Sequence, residues 1–137
     1  GLAKLREMIE AQGGDGRVCE DVSLLPRAAR IVPVPSPADG YVVRMDTAAL
    51  GMASQRLGAG RTRKEDAVDP AVGLVMAVEL GQRVEAGAPL AYLHVGARGE
   101  EEAAALVRRA VGISPARAPV PPLVYAVVRP EGVERLA

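Results

Sequence analysis

The side chains best equipped for chemistry lie together, in a charged stretch behind two glycines. Gly58 and Gly60 are followed by Arg61, Arg63, Lys64, Glu65 and Asp66. A phosphate cradle of the Walker type needs Gly-Lys-Ser/Thr at a fixed distance from its first glycine. Gly58-Ala59-Gly60-Arg61 lacks it, and Lys64 stands at the wrong spacing. Acid–base work needs carboxylates aimed at a common point. Glu65 and Asp66 are adjacent in sequence, and most such pairs are solvated. A third chemistry is electrostatic closure. A glycine-hinged loop bearing both signs of charge can form ion pairs with a neighbouring domain and help seal a site as the domains close. Two readings stay open at this level. The glycines cap the preceding helix, or the loop of Gly58, Gly60, Arg61, Lys64, Glu65 and Asp66 reaches outward.

The remaining candidates carry less. His94 is the only histidine and sits between Leu93 and Val95, where a structural role is the expectation. A nucleophile site needs a base, an orienting acid and a positioned Ser or Cys. Ser23, Ser36, Ser54 and Ser114 all lie in ordinary helix or loop contexts. Cys19 is the only cysteine, so it has no internal disulfide partner and no metal-ligand partner at useful spacing. No catalytic residue, metal site or cofactor is nominated in this chain.

The elements that must position the loop follow from pattern and punctuation. Leu2, Leu5, Met8 and Ile9 share one face of a helix over about residues 2–12, ended by Gly13-Gly14. Such an apolar face must pack on something. Residues 15–30 read as a connector broken by Asp15-Gly16 and Pro26, with Val22 and Leu24-Leu25 as anchors. Pro33, Pro35 and Pro37 make the following segment extended, and they exclude a central strand, so it is an edge or a cover. Tyr41–Met45 reads as a strand behind the turn signal Asp39-Gly40. Asp46 is a good N-cap for a helix over about 47–57, with Leu50, Ala53 and Leu57 inward and Gly58 as its stop. Strands are expected over Val72–Leu80, briefly at Val84, and over Pro89–Val95. A helix over Gly99–Val111 has Glu100, Glu101 and Glu102 in its first turn and Arg108 and Arg109 in its last, which suits the helix dipole. Gly112 is its expected stop, residues 114–122 a proline-rich loop, Leu123–Val128 a last strand, and Glu131-Gly132 a turn into the tail.

Composition bounds these readings. The 137 residues suit one domain. The chain is 49% apolar without Phe or Trp, so its core must be Val, Leu, Ala and Met. Three tyrosines offer few platforms for stacking bases, and the formal net charge of zero gives no electrostatic footprint for nucleic acid or an anionic membrane. No apolar run approaches the roughly 20 residues that span a bilayer. The charged N-terminal Gly-Leu-Ala-Lys-Leu-Arg-Glu is unlike a signal peptide. Cytoplasmic localisation is the expectation. A first residue of Gly rather than Met leads us to expect a processed, cloned or proteolysed piece.

Two resemblances arise. Pro37-Ala38-Asp39-Gly40-Tyr41-Val42, followed later by Leu80-Gly81-Gln82-Arg83-Val84-Glu85-Ala86-Gly87-Ala88-Pro89-Leu90, resembles the two halves of a biotinyl or lipoyl carrier. There, glycines make the tight corners of a flattened β-barrel and alternating valines fill it. A carrier needs a lysine at a hairpin tip between the halves. Lys4 and Lys64 are the only lysines, and Lys64 lies between Arg63 and Glu65. The pattern reads as shared architecture rather than shared chemistry. A barrel-type binding module without a modified lysine stays as the alternative, with a stand-alone interaction domain as a third reading.

The order Leu57-Gly58-Ala59-Gly60-Arg61, then Lys64-Glu65-Asp66, Val68-Asp69 and Val72-Gly73 resembles the C-terminal domain of the pyrimidine nucleoside phosphorylase and thymidine phosphorylase family. The resemblance runs from the first helix to the last strand and is most specific over 50–73. The residues predict an α+β unit with a mixed or antiparallel, partly barrel-like sheet and two or three helices. The resemblance implies an α/β-hammerhead-like domain over residues 26–137, preceded by a junction helix and connector at 1–25. It implies a parent enzyme, a homodimer, that converts a pyrimidine nucleoside and the co-substrate phosphate to free base and pentose 1-phosphate in nucleoside salvage. The AMP phosphorylases form a related branch. The family's phosphate- and base-binding residues lie upstream, so no catalytic residue carries over. This chain alone is expected to be inactive, with the upstream catalytic domains as its partners. Scaffold and closure are the expected work.

Overall fold

The computed structural model describes residues 1–136; Ala137, the last residue of the expected domain, lies outside the described residues. The chain is α+β, and every strand pairing is antiparallel. Helix α1 spans Leu2–Ala11. Two single turns of tighter helix follow at Gly16–Cys19 and Val22–Leu24, started by Asp15 and Asp21, whose side chains accept from the amides of Arg17 and Ser23. The carboxylates satisfy amides that the short turns leave without partners. Val22, Leu24 and Leu25, expected as anchors of this connector, are instead exposed. The face of Leu2, Leu5 and Met8 is exposed as well, so no part of the described chain covers it.

Strand β1 (Arg30–Pro35) is an edge strand, as its prolines require. It pairs with the central β5 (Pro89–Val95), which pairs on its other side with β3 (Gly73–Met76). The second sheet is centred on β2 (Gly40–Met45), between β4 (Arg83–Val84) and β6 (Val111–Ser114). The two segments with the carrier-like pattern do meet: Ser36 and Ala88, Gly87 and Ser36, and Gly81 and Val42 exchange backbone bonds of 2.7–2.9 Å. Both sheets are open three-stranded sheets, and neither closes into a barrel.

Helices α2 (Thr47–Ser54) and α3 (Glu100–Ala110) pack on each other, α2 also against β3 and α3 against β1, β5 and β6. Asp46 caps α2 by accepting from the Ala49 amide at 3.0 Å. Leu50, Ala53 and Leu57 face inward against Ala103, Val107 and Ala110 of α3. Alanines at this helix–helix contact let the axes come close. Val34, Val42, Leu90, Leu93 and Val95 complete an aliphatic core with no aromatic residue in it.

Three segments differ from the sequence reading. The strand expected over Val72–Leu80 stops at Met76, because the chain then turns through Glu79–Gln82 and hands Gly81 across to β2. Helix α3 ends at Ala110, just ahead of the expected stop at Gly112, but Gly112 itself is a strand residue. The chain passes straight from Ala110 into β6, and Gly112 lies extended against Arg44. The tail beyond Glu131-Gly132 is a strand: β7 (Ala126–Arg129) and β8 (Gly132–Arg135) form a hairpin as a sheet of their own.

Candidate functional site

The charged loop starts where α2 changes register. After Ser54 the helix widens through Gln55–Ala59, and Gly58 takes φ +113°, a conformation that L side chains rarely adopt. Gly58 thus ends the helix and also turns the chain into the loop, so the two roles read from sequence coincide at one residue. It is buried, and its carbonyl accepts from the Asp69 amide at 3.0 Å, which pins the two ends of the loop together. Gly60 is extended, with φ −148°. The side-chain amide of Gln55 donates to the Arg61 carbonyl.

Beyond that point the loop has no buried side chain. Arg61, Lys64 and Glu65 are exposed, and among the described residues none of them has an ion-pair partner within 4.0 Å. Asp66 is placed differently. It is half-buried, and one carboxylate oxygen accepts from the amides of Thr62 at 2.9 Å and Arg63 at 2.8 Å. Its own amide donates back to the Arg63 carbonyl at 3.1 Å. The Arg63 and Thr62 amides, with the charge of Arg98 behind them, hold the Asp66 carboxyl below the usual carboxylate range.

Arg98 escaped the sequence reading. It lies on the connector between β5 and α3, and the fold brings it to a groove of about 290 Å³ shared with Gly58, Asp66 and Asp69. Gly99 beside it has φ +80° and starts α3 so close to the widened turn that a Cβ would stand 2.1 Å from the Arg56 carbonyl oxygen. Arg56 and Glu102 approach to 3.6 Å across the same junction, and Arg30 and Glu100 to 2.7 Å beside it. The only sequence signal for this junction was Gly99 ahead of three glutamates.

The other candidates stay apart. His94 is half-buried in the central strand, opposite Ile31 on one side and Gly73 on the other. Cys19 is a free, half-buried thiol in the connector. Among the described residues, no three His, Cys, Asp or Glu side chains gather as a metal cage, and no helix is long and apolar enough to cross a membrane. Lys64 sits in the charged loop between the widened turn and β3, not at the tip of a strand hairpin, so the geometry gives the carrier alternative no support.

Fold and loop together define an antiparallel α+β domain that presents a glycine-hinged, charged surface loop. Residues 41–114 match the family model of the pyrimidine nucleoside phosphorylase C-terminal domain. The chain belongs to this family. It is 49% identical over 102 residues to a thymidine phosphorylase of Burkholderia cenocepacia, covering 74% of this chain and 23% of that protein. It is 35% identical over 127 residues to the pyrimidine-nucleoside phosphorylase of Bacillus subtilis, covering 93% of this chain and 29% of that protein. A pyrimidine-nucleoside phosphorylase of Geobacillus stearothermophilus is 34% identical over 124 residues, covering 90% and 29% respectively. The chain therefore spans about a quarter of the length of the relatives it matches.

Proposed function

We propose that this chain is the C-terminal, non-catalytic portion of a pyrimidine nucleoside phosphorylase and serves it as scaffold and closure element. The parent reaction would convert a pyrimidine nucleoside and phosphate, its co-substrate, to free base and pentose 1-phosphate. In this reading residues 1–25 form the junction helix and connector, and residues 26–137 an α/β-hammerhead-like, partly barrel-like domain beside the upstream catalytic domains. A homodimeric, cytoplasmic parent acting in nucleoside salvage belongs to the same proposal.

One observation carries it. Arg61, Lys64 and Glu65 stand exposed and without ion-pair partners on a loop whose ends are hydrogen-bonded in place. Charges held ready on a fixed base suit docking against a complementary surface. Ion pairs formed there on closure would exclude water from the neighbouring site. Electrostatic stabilisation of a transition state that gains positive charge at the sugar is then stronger. The uncovered face of Leu2, Leu5 and Met8 supports the junction role of α1.

The test uses the full-length enzyme with Arg61→Ala and Lys64→Ala combined. Phosphate-dependent release of base from uridine and thymidine should show a raised KM or a lowered kcat; unchanged kinetics would sink the closure role. This chain assayed alone should release no base, and should do so once mixed with a separately expressed upstream portion. Activity of the chain alone would refute the non-catalytic assignment.

A further inference from the structure

The geometry points to Asp66 as a positioning residue: its carboxylate folds residues 62–66 onto themselves and fixes the directions in which Arg61, Lys64 and Glu65 stand. The inference rests on the closure reading for its purpose, but not for its geometry. Residues 61–65 are exposed, so no apolar burial orders them. Their order comes from hydrogen bonds alone. Two contacts pin the ends, from Gln55 to the Arg61 carbonyl and from the Asp69 amide to Gly58. The middle depends on Asp66, which accepts from the Thr62 and Arg63 amides and donates its own amide to Arg63.

The two acids of the Glu65-Asp66 pair are therefore unlike. Glu65 points outward with the docking charges, whereas Asp66 is turned onto the loop's own backbone. Arg98, from the connector ahead of α3, shares the groove with Asp66 and supplies the cation behind the carboxylate. The Asp66 carboxylate is bonded only within its own loop, and Arg98 acts on it across the groove by charge alone. A loop fixed beforehand loses less conformational entropy when it docks, so substrate-driven closure needs less of the binding free energy.

The test is a set of full-length variants: Asp66→Ala, Asp66→Asn, the Arg61→Ala/Lys64→Ala pair, and the triple. Asp66→Ala removes both hydrogen bonds to the carboxylate and should raise KM at least tenfold, since even one such bond to a charged acceptor is worth about that factor. A loss of positioning leaves kcat within about twofold, where simple loss of folded enzyme would lower kcat at constant KM. Asp66→Asn keeps an acceptor oxygen and should recover most of the KM. In the Arg61→Ala/Lys64→Ala background, Asp66→Ala should add much less than it does alone, because only Glu65 is then left for it to position. Amide exchange at Thr62 and Arg63 should quicken in Asp66→Ala by far more than exchange at the core amides of β5.

If the Arg61/Lys64 pair matters and Asp66→Ala leaves KM unchanged, the positioning role is overturned and the closure reading stands. If the pair has no effect, the closure reading fails, and exchange decides this proposal alone. Unchanged exchange overturns it, and faster exchange upholds Asp66 as the residue that orders the loop.

Discussion

Replacing Gly99 with alanine should be among the most damaging single changes in this domain, because its Cβ would collide with backbone. Gly99 has φ +80°, and a Cβ there would lie 2.1 Å from the Arg56 carbonyl oxygen, 2.6 Å from its carbon and 3.1 Å from the Leu57 nitrogen. All three atoms are backbone, so no flexible side chain can give way. The left-handed conformation costs an L residue about 1–2 kcal/mol. Overpacking typically adds about 1–3 kcal/mol, and the total becomes about 2–5 kcal/mol. Gly87 is the control. Its φ is +85°, yet nothing lies within 4 Å of its Cβ position, so Gly87→Ala should lose only the conformational part, about 1–2 kcal/mol. Urea unfolding followed by far-UV circular dichroism measures both variants on the same scale. At this chain length each kcal/mol also moves Tm by about 3–5 °C. If Gly99→Ala lost no more than Gly87→Ala, the close approach of α3 to the widened turn would be refuted.

Two further expectations concern the core and the connector. Leu57 is 2% exposed, and Leu57→Ala should lose about 2–5 kcal/mol, whereas Leu123, 99% exposed, should change stability by less than about 0.5 kcal/mol on the same substitution; similar losses would contradict the assigned core. The Arg17 guanidinium and amide hold the Asp15 carboxyl down at about 2. A depressed carboxylate adds stability above its unfolded value of about 3.9, and that contribution is lost as pH falls toward 2. An NMR titration should show the Asp15 midpoint moving back up in Arg17→Ala; the same midpoint in both proteins would remove the pair from the account.

Much of the loop's identity was legible locally. Gly58 as a stop, Asp46 as a cap, and Leu50, Ala53 and Leu57 as the inward face of α2 all follow from rules that act within one or two turns of chain. The edge position of β1 was legible for a similar reason, since a proline cannot donate to a ladder wherever it sits. At Gly112 the end of the helix was legible, but the strand that holds the glycine was not. The demand for that strand came from β2, whose free edge takes Val111–Ser114 as its partner. The connector residues Val22, Leu24 and Leu25 were misread. Apolar character gave them a tendency to be buried, but no surface of the described chain comes near enough to cover them.

The sequence by itself determined the class of residue at each position: an aliphatic core without aromatics, the caps and breaks of the helices, and a charged stretch hinged on glycine. Those follow from side-chain volume, backbone freedom and hydrogen-bonding capacity, which each residue carries with it. Only the tertiary structure decided which of two adjacent acids turns inward, and that Arg98, far along the chain, stands behind it. It also decided that Gly99 touches the backbone of Arg56. These depend on distances between elements, and such distances are set by how two sheets and two helices share one small core.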